Sequence, residues 1–233
     1  MIDKKMIIEI DHMSPPTKND VLNILRDKQY NGVVSTHVGP LGAEKEKGKG
    51  RTLTDLDKRI LELGGLIFPY NADSTSFVKT QKTIQKGIEK VNEKRDDPYL
   101  VGIGFSTDVN GLTHQASPIF IDKKGEPIPC DKDQQPVCVD YENGFQSIDG
   151  KRTIFQQQTG NRKFDLNYDG IAHYGLLADH VESIRLNGDN HTINVLSTEP
   201  QINRYFTAKR REASRLYETA NCRDARPCVS NYK

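Results

Sequence analysis

Two histidines and an aspartate stand where apolar runs stop. His12 follows "MIIEID", His37 follows "GVVST", and Asp108 follows "LVGIGFST". Imidazole and carboxylate are the side chains that hold zinc or a similar divalent ion, and such an ion makes bound water acidic enough to act as a nucleophile near neutral pH. In parallel α/β sheets and barrels the reactive groups come from the C-terminal ends of strands, where the βα loops build one face. If the three runs are parallel strands, the three side chains share a rim. A single histidine at a strand end is more often a hydrogen-bonded loop or core residue than a ligand. The weight lies in two at equivalent places in consecutive units, with an aspartate in a third. Asp11 can orient a metal-bound imidazole or simply cap the next helix. His114, His180 and His191 have no such placement and read as surface or capping residues.

The elements that must position these residues follow from periodicity. Short, mostly apolar runs at 6–10, 32–36, 64–70 and 99–105 read as strands covered on both faces. Helical patterns separate them. In "PPTKNDVLNILRDKQ" the prolines suit a helix start, and Val21, Leu22 and Leu25 form one apolar face. In "TDLDKRILELGG" Thr54 or Asp55 caps, Leu56, Ile60 and Leu63 face inward, and the glycines end the helix. "STSFVKTQKTIQKGIEKVNEK" puts Phe77, Ile84, Ile88 and Val91 on one stripe. Strand, helix, strand, repeated, predicts a parallel sheet with right-handed crossovers.

Residues 1–105 thus read as (β/α) repeat units. Residues 106–168 are rich in Gly, Pro, Asp, Asn and Gln and read as a long excursion with a β-hairpin in "SPIFIDKKGEPI". Residues 169–233 return to helix, with Leu176, Leu177, Val181 and Ile184 on one face and a later basic stretch, "EPQINRYFTAKRREASRLYETA". The three stretches are expected to form one domain.

Composition bounds the function classes. At 233 residues the chain is long enough for a sizeable core. The 33 basic residues are matched by 32 acidic ones, which argues against nucleic acid or an anionic membrane as partner. The hydrophobic share of 35% and mean hydropathy of -0.68 are low for a compact enzyme, implying long polar loops or a missing part of the core. No run approaches the roughly 20 apolar residues of a membrane span, and "MIDKKMIIEIDHM" lacks the features of a signal peptide. The cysteines fall into close pairs, Cys130 with Cys138 and Cys222 with Cys228, without the spacing of a zinc or redox motif. Two local disulfides formed outside the cytoplasm, in a secreted or periplasmic protein, are the favoured reading; four reduced thiols are the alternative.

Longer stretches carry a resemblance. "IEIDHMS", "GVVSTHVGP", "LDKRILELGGLIFPYNAD" and "LVGIGFSTDVNG" resemble, in that order, the second half of the membrane (renal) dipeptidase family of the amidohydrolase superfamily. "TGNRKFDLNYDGIAHYGLLADHVESIRLNG" is similar to a bacterial, often exported branch of that group. The resemblance spans roughly residues 6–190. It implies a TIM-type metallo-hydrolase barrel with a binuclear zinc centre, His12 and His37 matching two ligands. Asp108 matches the aspartate that handles a proton of the nucleophilic water. The family's HxD pair and bridging acidic residue belong to an N-terminal half with no counterpart here. A half-barrel is therefore expected, its open edges to be covered by a matching N-terminal half or by a second copy. The resemblance also sets "DGIAHYGLLADH" over the rim, giving Asp169, His173 and Tyr174 a substrate-contacting role; locally, Asp169 caps a helix and His173 packs. Tyr70 and Asn71, after the third strand, line the pocket or, with Asp73, make the turn.

The expectation is a zinc-dependent hydrolase domain that cleaves an amide or peptide bond of a small-molecule or peptide substrate, incomplete on its own. A different class competes with it: a catalytically silent binding or assembly module that retains the scaffold. A phosphate-ester hydrolase on the same scaffold is a weaker third. Non-reducing peptide mapping should find Cys130–Cys138 and Cys222–Cys228 links, each stabilising by at most about 3 kcal/mol. Four free thiols or a Cys130–Cys222 link would refute the pairing.

Overall fold

A computed structural model describes residues 1–37, 39–40, 51–96, 98, 103–108, 116–131, 134–147, 149–189 and 192. It is a mixed α/β fold whose first part is a parallel three-stranded sheet in the order β1 (Ile8–Glu9), β2 (Val33–Ser35), β3 (Leu66–Ile67). Ile8 lies opposite Val33, Val34 opposite Leu66, and Ser35 opposite Ile67. The regular ladders are shorter than the apolar runs, yet backbone bonds continue beyond them. Ile10 N–H donates to Val34 O at 3.1 Å, Phe68 N–H to Ser35 O at 2.8 Å, and Tyr70 N–H to Gly39 O at 2.7 Å. Of the fourth expected strand, 99–102 lies outside the described residues, and 103–108 continues without ladder bonds.

Each crossover helix starts at a side-chain cap. α1 (Pro15–Asp27) has Ser14 accepting from Thr17 N–H and prolines in its first turn. α2 (Asp55–Glu62) is closed by a reciprocal box in which Thr54 accepts from Asp57 N–H while the Asp57 carboxylate accepts from Thr54 N–H at 2.7 Å. α3 (Ser74–Asn92) is capped by Asp73, which accepts from Ser76 N–H at 2.8 Å. Behind α2, Gly64 takes φ 76° and Gly65 passes so close to β2 that a Cβ there would sit 2.6 Å from Val33 O. Only glycine allows both the turn and the approach.

One sheet face packs on these helices. Ile8, Ile10, Val33 and Ile67 form a continuous core with Leu22 and Leu25 of α1, Ile60 and Leu61 of α2, and Ile84 of α3. Glu9 and Val34, alternating with them, point to the other face.

The excursion is not a plain loop. It builds a second core from Ala116, Val139, Phe145, Leu166, Ile171 and Leu176. Around it run an Ile121–Pro127 bridge at the expected hairpin and two further hairpins. These are β4 (Phe145–Gln146) with β5 (Thr153–Ile154) and β6 (Gln158–Thr159) with β7 (Arg162–Lys163). The Cys130–Cys138 disulfide forms, its Cα atoms 6.0 Å apart, whereas Cys222 and Cys228 lie outside the described residues. Two asparagines clamp the backbone on either side of Cys138. The Asn167 amide exchanges two hydrogen bonds with the Val139 backbone and the Asn187 amide two with Val137. Asn167 opens the short α4 (Leu166–Asp169) and Asn187 ends α5 (Leu177–Asn187), so both helices grip the disulfide loop.

α1 offers an internal comparison. Leu22 is fully buried and Ile24, two residues on, is 53% exposed. Leu22→Ala should cost about 2–5 kcal/mol and Ile24→Ala less than about 0.5 kcal/mol by urea denaturation. Equal costs would mean that α1 does not face the sheet as described.

Candidate metal centre

The ends of β1 and β2 are joined by one buried carboxylate. Asp11 Oδ1 accepts from Ser35 Oγ at 2.6 Å and Oδ2 from the His37 backbone N–H at 2.8 Å, with its side chain wholly buried. The same Oδ2 lies 3.3 Å from His37 Nδ1, and Thr36 Oγ1 lies 3.0 Å from it. A carboxylate only accepts, so this contact favours the His37 tautomer with its proton on Nδ1 and its lone pair on Nε2. That lone pair meets a second imidazole: His12 Nε2 is 2.7 Å from His37 Nε2, the rings 4.8 Å apart between centroids. His37 is half-buried and His12 exposed.

Glu9, Asp11 and His37 form a cluster that could hold a metal ion, their ligand atoms within 4.8 Å of one another. His12 is not part of that cluster and joins it only through the 2.7 Å contact of its Nε2 with His37 Nε2. Asp11 already uses both oxygens, so it orients rather than binds. Glu9 accepts from Asp11 N–H at 2.8 Å through Oε1, which leaves its second oxygen able to serve as a ligand beside His37. A tetrahedral zinc would set two nitrogens about 3.3 Å apart, so the pair need open by only roughly half an ångström. His12 takes φ 60° and Asp108 φ 52°, in the left-handed region where non-glycine residues are uncommon. Among the described residues the other two such residues, Lys5 and Gln29, lie just past the ends of a 3₁₀ turn and of α1.

The remaining candidates sit elsewhere in the network. Asp108 lies in the segment 103–108 and, among the described residues, belongs to no cluster with the histidines. Tyr70 is half-buried under Arg51, whose guanidinium carbon stands 3.9 Å from the ring centre. Asn71 is buried, its Oδ1 2.7 Å from His180 Nε2 and its Nδ2 donating to Ser106 O at 3.3 Å. Asp169, the last residue of α4, accepts from Asp165 N–H and pairs with Arg162 at 3.2 Å. His173 caps a 3₁₀ turn, accepting from Gly175 N–H at 3.0 Å, and packs edge-on against Phe164. Tyr174 is 56% exposed. Among the described residues, no hydrogen bond, ion pair or ring contact joins Asn71, Asp169, His173 or Tyr174 to the histidine pair.

His180 corrects the sequence reading. It is neither a surface nor a capping residue but a fully packed group inside α5. Burial lowers its pKa to about 4, against the pull of Asp73, so it stays neutral and donates from Nε2 to Asn71. His114 and His191 lie outside the described residues. Nearby, Tyr141 donates to Asp179 Oδ1 at 2.7 Å, and burial pushes the pKa of both groups up. Glu9 was missed because one acidic residue inside "MIIEI" reads as an interruption; its signal was the alternation that puts it opposite the helices.

No family model, curated protein or solved structure matches the chain.

The buried His180 gives stability a pH dependence. The unfolded chain takes up this proton near pH 6.5 and the folded one only near 4, so stability rises with pH across that window. The full difference is roughly 3 kcal/mol. Asp165 and Asp179, whose carboxyl pKa values burial raises, act in the opposite sense. The comparison is therefore with His180→Gln, whose urea midpoint should depend less steeply on pH between 4 and 6.5. Parallel profiles would place a charged His180 in the fold.

Proposed function

We propose that the chain is a metal-dependent hydrolase domain of membrane-dipeptidase type, with His12 and His37 as ligands to a divalent ion, zinc by donor preference. One observation carries this reading: the 2.7 Å approach of the two Nε2 atoms at the ends of neighbouring parallel strands. Such an ion, when bound, acidifies water and polarises an amide carbonyl. The chain's own residues do the rest. Asp11 fixes the His37 ring, and Glu9 contributes a carboxylate beside it. Asp108 accepts the proton of the attacking water and returns it to the leaving nitrogen. The substrate is a dipeptide or similar small amide, with the rim segments near Tyr70, Asn71, Asp169, His173 and Tyr174 as its surroundings.

The sheet supports a half-barrel. Among the described residues β1 pairs on one side only, and Met6 and Ile7 beside it are 46% and 37% exposed. A matching N-terminal half or a second copy would cover that edge, and the Cys130–Cys138 disulfide fits an extracytoplasmic setting. The competing assembly module draws on a different feature: the two imidazoles satisfy each other without any ion.

Metal analysis after dialysis against zinc separates the two. About one ion per chain, lost in His12→Ala/His37→Ala, is expected; a folded chain that retains none would leave the silent module. The isolated chain should turn over dipeptides little or not at all, and joining it to a matching N-terminal half should restore activity. In that assembly Asp108→Asn should lower kcat by about 100-fold while leaving zinc content unchanged.

A further inference from the structure

A cavity of about 600 Å³ opens between α2 and α3, within the size range of small-molecule sites. Its lining is amphipathic. Leu53, Leu61, Gly87 and Val91 supply apolar surface, and Gly87 lets the floor close, since a Cβ there would lie 2.5 Å from Leu53 Cδ1. Lys86 and Lys90 of α3 and Lys94 just past its end also line it, with Arg95 and one carboxylate, Glu62. Lys86 and Lys90, one turn apart on the helix, repel each other. Lys58 is held by Asp55 at 2.8 Å and Lys82 by Asp189 at 3.2 Å, but no ion pair among the described residues takes up Lys86, Lys90 or Lys94. All three lysines are exposed, and they stand at the rim of an apolar hollow.

We infer that this cavity binds an anionic amphiphile, a free medium-chain carboxylate, with its chain on Leu61 and Val91 and its head group against the three lysines. The site lies away from the histidines. α2 and the second half of α3 line it, and neither His12 nor His37 is among its lining residues. It does not depend on the hydrolase reading.

The test is fluorescence titration with a dansyl-labelled undecanoate below its micellar concentration. Saturable binding is expected, displaced by decanoate at concentrations about tenfold lower than by decanol. The Lys86→Gln/Lys90→Gln/Lys94→Gln protein, its fold checked by circular dichroism, should bind about tenfold more weakly. Added salt should weaken binding to the unaltered chain but not to this variant. His12→Ala/His37→Ala should bind as the unaltered chain does. Absence of saturable binding, equal potency of decanol, indifference to the lysine changes, or loss in the histidine variant would each overturn the assignment.

Discussion

The rim of this sheet depends on the burial of Asp11. A carboxylate removed from water is costly unless every lone-pair direction finds a donor, and here a serine hydroxyl and a backbone N–H, both from the β2 side, reach it at 2.6 and 2.8 Å. Hydrogen bonds to an ionised acceptor are among the stronger ones in proteins. Because both donors come from a neighbouring strand, satisfying the charge also fixes how the end of β1 meets the end of β2. The contact with His37 Nδ1 extends this from backbone register to ring orientation. What the carboxylate determines, then, is where the Nε2 lone pair of His37 points, and it points at His12.

A second polar tie crosses the molecule. α5 buries His180 and Ser183 along with Leu176 and Ile184 at its start and on its face, so it is anchored by hydrogen bonds as much as by apolar contact. Ser183 meets Ser74 at the start of α3, 2.7 Å between hydroxyl oxygens, while His180 holds Asn71, whose amide in turn donates to Ser106 O. The segment that contains Asp108 is thus supported from α5, through one buried neutral imidazole. Protonating that imidazole would remove no donor, but it would place a charge in a fully buried position that Asp73 only partly offsets, which is why burial lowers its pKa.

The helices and three of the four expected strands of the (β/α) units were legible because their signals are local. Pro15 and Thr54 mark starts, and the stripes through Leu22, Ile60 and Ile84 mark the buried faces, while Asp73, read only as a turn residue, caps α3. The expected approach of His12 to His37 followed from the same regularity, since parallel neighbours end side by side. The rest was hidden by distance along the chain. His180 finds Asn71 from 109 positions away, and nothing in "ADHVES" announces it. The second core draws one residue from each of several polar stretches, Ala116, Val139, Phe145 and Leu166, too far apart for any period to appear. A segment that looks like loop by composition therefore folds around its own small centre, stapled at Cys130–Cys138.

His12 itself shows how backbone and side chain disagree at this rim. The chain must leave β1 and reach the cap of α1 at Ser14 with only a few residues between. A φ of 60° at position 12 makes that turn, and on backbone grounds alone glycine is the residue for it. A side chain there costs about 1 kcal/mol or more. Asparagine or aspartate would soften the cost by bonding locally, yet the histidine ring makes no such bond: its partner is His37, 25 positions away. The gain that offsets the strain is therefore long-range. A single hydrogen bond between half-exposed imidazoles contributes about as much as the strain costs, which leaves the pair near balance without an ion. A bound cation, by replacing that weak bond with two ligand bonds, would be the partner for which this backbone geometry is favourable.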